Sequence, residues 1–243
     1  MSEPYYQDKW VTIYHGDCRE ILPQLDMKVD LVVTDPPYGV TQNKQDKVVD
    51  LSRIIIYPTV IFSQQPYTTQ LINRYEKLFR YDLIWDKVLT SGFLNANKMP
   101  LRRHEVILVF GDVRYKPIKV MGEKSHSKGK PKENRNENYG AYNFVDNTDE
   151  LGYLKHPTSI LRYEKPHPSI ALHRTEKPTE LISWLLESYS MPDNLILDPF
   201  LGSGTTCYCA KALNRYSIGI EIEEKYCEIA AKRCSQEVME LRV

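Results

Sequence analysis

Two short stretches of the chain carry residue types with chemistry to offer. The first is Asp35-Pro36-Pro37-Tyr38, directly after the apolar run DLVVT at 30–34. Asp35 supplies a carboxylate acceptor and Pro36 a carbonyl acceptor. The two prolines fix the backbone, so these acceptors are not recruited into a helix. Tyr38 adds a flat π-face. Together the groups suit an amino group on a planar heterocycle, and the plainer reading is a rigid turn with a helix-capping aspartate. The second stretch is Asp198-Pro199-Phe200-Leu201-Gly202-Ser203-Gly204-Thr205-Thr206. Glycines there let backbone approach a ligand, and the helix they open presents free amides and a positive dipole end. About 23 positions after Asp198, at the end of the next strand, Glu221 has the spacing of an acid that bonds the ribose of an adenosine-containing cofactor. The dinucleotide pattern GxGxxG is absent and there is one glycine-rich loop, so a mononucleoside-type cofactor fits better than NAD. A nicotinamide dehydrogenase is disfavoured for the same reason.

These residues must be positioned by an α/β scaffold. Short β-like runs alternate with helical ones, which predicts a largely parallel sheet with helices on both faces. Strands are expected at 10–14, 30–34, 59–63, 81–85, 106–110, 195–197 and 217–222. The continuous apolar character of 30–34 marks a strand buried on both faces. Helices are expected at 18–25, 65–79, 178–189, 205–213 and 224–234, with Pro178 at the first helical position. The 65–79 helix would place Leu71, Ile72, Tyr75, Leu78 and Phe79 on one side. Residues 111–165 break the alternation. From Gly111 to Asn143 eight basic residues (Arg114, Lys116, Lys119, Lys124, Lys128, Lys130, Lys132 and Arg135) face four acidic ones. On composition alone a solvated loop is the better reading; an inserted recognition element is the functional one, and 111–165 also carries six aromatic residues.

At this point the motifs resemble those of the amino-group DNA methyltransferases that depend on S-adenosylmethionine. The matching residues are Asp35–Tyr38, the 198–206 turn, His173-Arg174-Thr175-Glu176-Lys177-Pro178 upstream of it, Gly219–Glu223 downstream, and Tyr14-His15-Gly16-Asp17-Cys18. Their order, catalytic motif before cofactor loop, is that of the β-class, a circular permutation of the common arrangement. The resemblance implies a Rossmann-like methyltransferase domain spanning 1–243, with 111–165 as an inserted target-recognition region. It implies cofactor contacts from Asp198, Pro199, Phe200, Gly202, Ser203, Gly204, Thr205 and Thr206. Thr175, Lys177 and Pro178 would close over the cofactor's carboxylate end, Glu221 would take the ribose, and Ile222 would pack on the adenine. Asp17 and Cys18 would lie at the adenine edge, and Asp35 would face both cofactor and target base. Asp35, Pro36, Pro37 and Tyr38 would be catalytic. Two features depart from the family pattern: Arg174 stands where a proline is usual, and no Pro-Gly-Gly turn precedes 59–63.

The implied activity is methylation of adenine N6 in duplex DNA by base flipping, with Asp rather than Ser at position 35 favouring adenine over cytosine N4. RNA methylation and a catalytically silent binding homologue are the rivals. Arg114, Lys116, Lys119, Lys128, Lys130, Lys132 and Arg135 would include phosphate contacts. Duplex DNA is the expected partner, with a homodimer and a cognate restriction endonuclease as further ones. The remaining indicators are general. The chain has 243 residues, 42% hydrophobic and 26% charged, with no net charge. That excludes wholesale disorder, collagen and a coiled coil. No stretch reaches the ~18–20 apolar residues of a membrane span, and the N-terminus lacks a signal peptide's apolar core. Five scattered cysteines fit a reduced, cytoplasmic setting in a bacterium or phage. Cys207 and Cys209, two apart on a helix, cannot share a metal, and no metal site is expected.

Overall fold

The computed structural model describes residues 2–39, 47–123, 153–166 and 176–236, with the backbone alone of short strands at 135–136 and 140–141. The chain divides into two units, Met1–Lys116 with Ser159–Val243, and Pro117–Thr158. The first holds a nine-stranded sheet. Its strands, in chain order, are β1 (Tyr6–Gln7), β2 (Val11–His15), β3 (Leu31–Thr34), β4 (Thr59–Ser63), β5 (Phe79–Ser91) and β6 (Arg102–Phe110). Strands β7 (Val120–Met121) and β10 (Leu154–Lys155) pair in the second unit, where β8 (Arg135–Asn136) and β9 (Gly140–Ala141) also pair. The main sheet is completed by β11 (Ile160–Arg162), β12 (Leu195–Asp198) and β13 (Tyr216–Glu221). The helices are α1 (Cys18–Ile21), α2 (Tyr67–Arg74), α3 (Thr179–Tyr189), α4 (Thr205–Ala212) and α5 (Glu224–Ser235).

The strand order is β1-β2-β13-β12-β3-β4-β6-β5-β11. Strands β2, β13, β12, β3 and β4 are mutually parallel. β6 runs against both of its neighbours, and β11 runs parallel to β5. All four residues of β3 and all five of β4 are buried, as expected for central strands covered on both faces. On one face Val32, Ile61, Leu108 and Leu197 pack with Tyr67 and Leu71 of α2. On the other, Val11 and Ile13 pack with Cys207 of α4 and with Cys227, Ala230 and Cys234 of α5. Burying each such aliphatic side chain contributes about 1.5–3 kcal/mol, so the sheet's centre is its most firmly held part.

Several predicted boundaries move. The long helix expected at 65–79 ends at Arg74. Tyr75 leaves helical geometry (φ −120°, ψ 32°), a short 3₁₀ turn follows, and Phe79 opens β5. Pro178 stands just outside α3 and not at its first position. β5 and β6 run well past the apolar segments expected at 81–85 and 106–110, together forming a long hairpin. Ile160–Arg162, inside the stretch read as an insertion, is a strand of the main sheet.

Candidate active site

The crossover from β12 through α4 leads to β13 on one side, and β3 connects to β4 on the other. Between β12 and β3 the sheet order therefore reverses direction, which is where an open α/β sheet forms a ligand crevice beyond its strands' carboxyl ends. Both motifs lie there. Asp198 ends β12 and Asp35 follows β3. Thr34 ties the two together: its hydroxyl donates to Asp198 Oδ1 at 2.7 Å across 164 positions of chain. Thr206 donates to Asp198 Oδ2 at 2.6 Å, and the Phe200 amide donates to Oδ1 at 3.2 Å. Burial raises the Asp198 carboxyl to about 6, against the pull of those three hydrogen bonds. The two threonine hydroxyls hold it in one orientation.

The glycine turn is shaped by its close approach to α5. Gly204 has φ +82°, and a Cβ there would sit 2.7 Å from Ala230 Cβ and 2.9 Å from Ala230 Cα. Only glycine combines that backbone with that contact. Gly204→Ala should therefore cost about 2–4 kcal/mol of folding stability, from a left-handed non-glycine residue and an overpacked helix contact. Urea unfolding of the two proteins checks this, and an unchanged midpoint contradicts it. Glu221, at the end of β13, accepts from the Gly202 amide at 2.8 Å and from the Glu223 amide at 2.8 Å. Burial outweighs those donors and raises its carboxyl above the usual range. Ile222, next to it, is exposed. Pro199, Ser203 and Thr205 are buried, and the Thr205 hydroxyl accepts from Arg233 of α5 at 3.0 Å. On the same edge, Asp17 caps α1, accepting from the Arg19 amide at 2.8 Å and pairing with the Arg19 guanidinium. That guanidinium holds the Asp17 carboxyl below its ordinary value. Cys18 is buried behind it, its thiol pushed up to about 11 by burial.

Asp35 sits in a charge cluster that sequence alone does not reveal. Its Oδ1 accepts from the Tyr38 hydroxyl and its Oδ2 from the Lys177 ammonium. The Tyr38 ring lies 5.8 Å from that of Tyr67. Pro36 is buried and Pro37 half-buried. Lys177 is itself buried and also lies 3.5 Å from Glu105 Oε2. Glu105 Oε1 accepts from Lys87 at 3.2 Å. The rings of Phe62 and Trp85 lie 4.8 and 5.8 Å from the Lys177 ammonium. Burial pushes the Lys177 ammonium towards neutrality, but Asp35 and Glu105 outweigh it and hold its pKa above the usual value. Glu105 shows the mirror image: burial raises its pKa, and Lys177 with Lys87 more than reverse that. Asp35, Lys177, Glu105 and Lys87 thus alternate in charge along one row, in which Lys177 and Glu105 stabilise each other's ionised forms.

The sequence context of Thr34, Glu105, Lys87, Phe62 and Trp85 does not mark them as site residues. The signal in the sequence is weak: Glu105 stands with Arg102, Arg103 and His104 in a charge cluster ahead of the apolar run 106–110. Of the predicted phosphate contacts, Arg114 and Lys116 are exposed in the first unit, and Lys119 is half-buried in the second. Only the backbone of Arg135 is described. Thr175, Lys128, Lys130 and Lys132 lie outside the described residues, as do His173 and Arg174.

With this geometry in place, comparison with known proteins is decisive. Residues 54–232 match the N6/N4 DNA methylase family. The chain belongs to that family. Among relatives of this methylase, the Type II methyltransferase M.BglII of Bacillus subtilis is 31% identical over 264 residues, spanning 93% of this chain and 69% of that protein. The crystal structure of an M1.HpyAVI–SAM complex superposes with a TM-score of 0.62 at 25% identity, covering 93% of this methylase and all of that chain. The PvuII DNA methyltransferase, described as cytosine-N4-specific, superposes at 0.65 with 15% identity over 98% of this chain and 91% of that one, a likeness of fold alone. The family uses S-adenosylmethionine, and its fold is the Rossmann-like methyltransferase fold.

Proposed function

We propose that this methylase transfers a methyl group from S-adenosylmethionine to the N6 amine of adenine in a short duplex DNA sequence. One observation carries the reading. Thr34 joins the Asp35 turn to the Asp198 turn, so an amine held by the first lies beside a ligand held by the second.

The crevice fits the cofactor. A backbone cradle with glycines at φ +56° and +82° opens beside two carboxylates, buried Asp198 and half-buried Glu221. Carboxylates with fixed orientation accept hydrogen bonds from hydroxyl and ammonium groups, and exposed Ile222 offers an apolar surface to a purine. In this reading Asp198, Pro199, Phe200, Gly202, Ser203, Gly204, Thr205 and Thr206 form the wall of the pocket and Glu221 takes the ribose. Asp17 and Cys18 lie at the adenine edge, and Pro178 closes the far end. When bound, the cofactor supplies an electrophilic methyl on a sulfonium.

The protein's own part is to make the amine nucleophilic. An exocyclic amine is a poor nucleophile because its lone pair is delocalised into the ring. A carboxylate has about four lone-pair positions. Tyr38 and Lys177 use one on each oxygen of Asp35, which leaves acceptors for an amine N–H. The Pro36 carbonyl is a second acceptor. Hydrogen bonds from both amine protons draw the nitrogen towards tetrahedral geometry and free its lone pair. Positioning supplies much of the remaining rate. Lys177 keeps the Asp35 carboxylate in a single orientation. Tyr38 offers its ring to the flipped base, a contact worth about 1–3 kcal/mol.

The base is assigned from Asp at position 35, as the amines of adenine and cytosine present similar geometry to the same acceptors. Expression in a host lacking DNA methylation, followed by modification-sensitive single-molecule sequencing, tests the proposal. N6-methyladenine in one short motif is the expected result. N4-methylcytosine would overturn the base assignment, and an unmarked genome would overturn the DNA substrate.

A further inference from the structure

The β5–β6 hairpin carries a second feature that this reading of the active site leaves unused. Ten consecutive residues, 91–100, are exposed. They include Phe93 at 68%, Leu94 at 101% and Met99 at 53% of full exposure. Apolar side chains grouped on one projection mark an interaction surface more often than isolated ones do. The tip is not a loose loop. Gly92 turns the chain with φ +92°, and a 3₁₀ turn at Phe93–Asn95 is closed by Asn95 and Ala96 amides donating to Gly92 and Phe93 carbonyls. Lys98 and Met99 amides both donate to the Asn95 carbonyl. Below the tip, Arg103 makes a forked pair with Asp86 at 2.7 and 2.9 Å, fixing one arm to the other. The result is a preformed apolar knob on a braced stem.

The stem's position and charge indicate what the knob meets. Glu105 belongs to the Asp35 cluster, and Arg102 lies three residues further along β6, about 10 Å beyond the cluster at the rise of an extended strand. The hairpin therefore projects past the sheet edge on which the candidate active site opens. Between Asp86 and Glu105 the sequence holds Lys87, Lys98, Arg102 and Arg103 and no acidic residue. Of these, Lys98, Arg102 and Arg103 are exposed, Arg103 being paired with Asp86. A polyanion complements that stem. An apolar tip on a cationic stem is the form of a wedge that enters between base steps of a duplex.

We infer that the 92–99 tip inserts Phe93 and Leu94 into duplex DNA beside the target, occupying the space that the flipped base vacates. The inference rests on the proposed DNA substrate. The wedge acts on the unpairing of the target and not on methyl transfer itself.

The test compares two duplexes bearing the methylated motif, one fully paired and one with an abasic site opposite the target. For Phe93→Ser/Leu94→Ser, kcat/KM on the paired duplex should fall about 10–100-fold, because opening a paired base is the step the wedge assists. On the abasic duplex the loss should stay within about threefold, by the same argument. Both side chains are exposed, so folding is not at stake, and unchanged S-adenosylmethionine binding by calorimetry verifies the pocket. For Arg102→Gln, the slope of log affinity against log salt should shrink by about one. Equal losses on both duplexes, or none, overturn the wedge while the proposed function stands. A variant that changes oligomeric state in sedimentation and leaves methylation intact also overturns it, reassigning the tip to a contact between copies. A wild-type protein that methylates neither duplex overturns the proposed function, and this inference with it.

Discussion

Asp35→Asn should retain S-adenosylmethionine binding and lose methyl transfer, with a single-turnover rate lowered about 10³-fold, the scale seen when one preorganised transition-state contact is removed. The side chain keeps its size. Its remaining oxygen can still accept from Lys177, and its amide can donate to the Tyr38 oxygen, so both neighbours in the wild-type geometry keep a partner. What disappears is acceptor capacity towards the substrate. An amine N–H then meets a donor where it needs an acceptor, and its lone pair stays in the ring. Calorimetry with the cofactor separates this from a damaged pocket, because Asp198 and Glu221 are untouched. A rate within tenfold of wild type would remove Asp35 from the reaction.

The second large effect belongs to Lys177→Met. Methionine fills much of the lysine's volume beside Phe62 and Trp85 but brings no charge. Asp35 and Glu105 then face each other without the cation between them. Removing one partner from a buried ion pair typically costs about 3–5 kcal/mol. Here the low end, about 3 kcal/mol, is expected, because Lys87 stays with Glu105 and Asp35 is 23% exposed. Two carboxylates sharing a site without a cation compete for a proton. One of them now has a folded-state pKa raised above its unfolded value. The variant is therefore penalised at pH values above that raised pKa, and the penalty fades as pH falls and the proton is taken up. Adding Glu105→Gln removes the repulsion. The double variant should recover most of the stability in urea titration and still turn over slowly, because Asp35 is no longer oriented. Full recovery of rate would reduce Lys177 to a packing element.

Asp35 was legible in sequence, since Asp-Pro-Pro-Tyr after an apolar strand is a local pattern whose backbone constraints are local too. The 198–206 turn was legible for the same reason. In sequence, Lys177 belongs to a segment expected near the cofactor and carries no sign of its partner. Its pairing with Asp35 bridges 142 positions and depends on the order of strands in the sheet, which no local pattern encodes. The same holds for Glu105 and Thr34. Strand cores were read correctly wherever burial left an apolar run, as at Thr59–Ser63. They were cut short where strands leave the core: β5 continues to Ser91 with exposed residues at its end, so its periodicity vanishes while its hydrogen bonding persists. The helix at 65–79 was read too long because Leu78 and Phe79 keep helical spacing, although one unfavourable backbone at Tyr75 already ends it.

One ammonium holds the far ends of the described chain together. Lys211 Nζ donates to Asp8 Oδ2 at 2.5 Å and to the Cys234 carbonyl at 2.7 Å. Nearby, β2 lies parallel to β13, with the Gly16 amide donating to the Glu221 carbonyl at 2.8 Å. Early and late segments are thus adjacent, the condition under which a fold tolerates being opened at one loop and rejoined at another. A polypeptide that began with the Asp198 turn and reached Asp35 last could close the same sheet around the same crevice. The linear order of the two motifs is in that sense a genetic accident laid over a fixed spatial arrangement, and the chemistry reads only the arrangement.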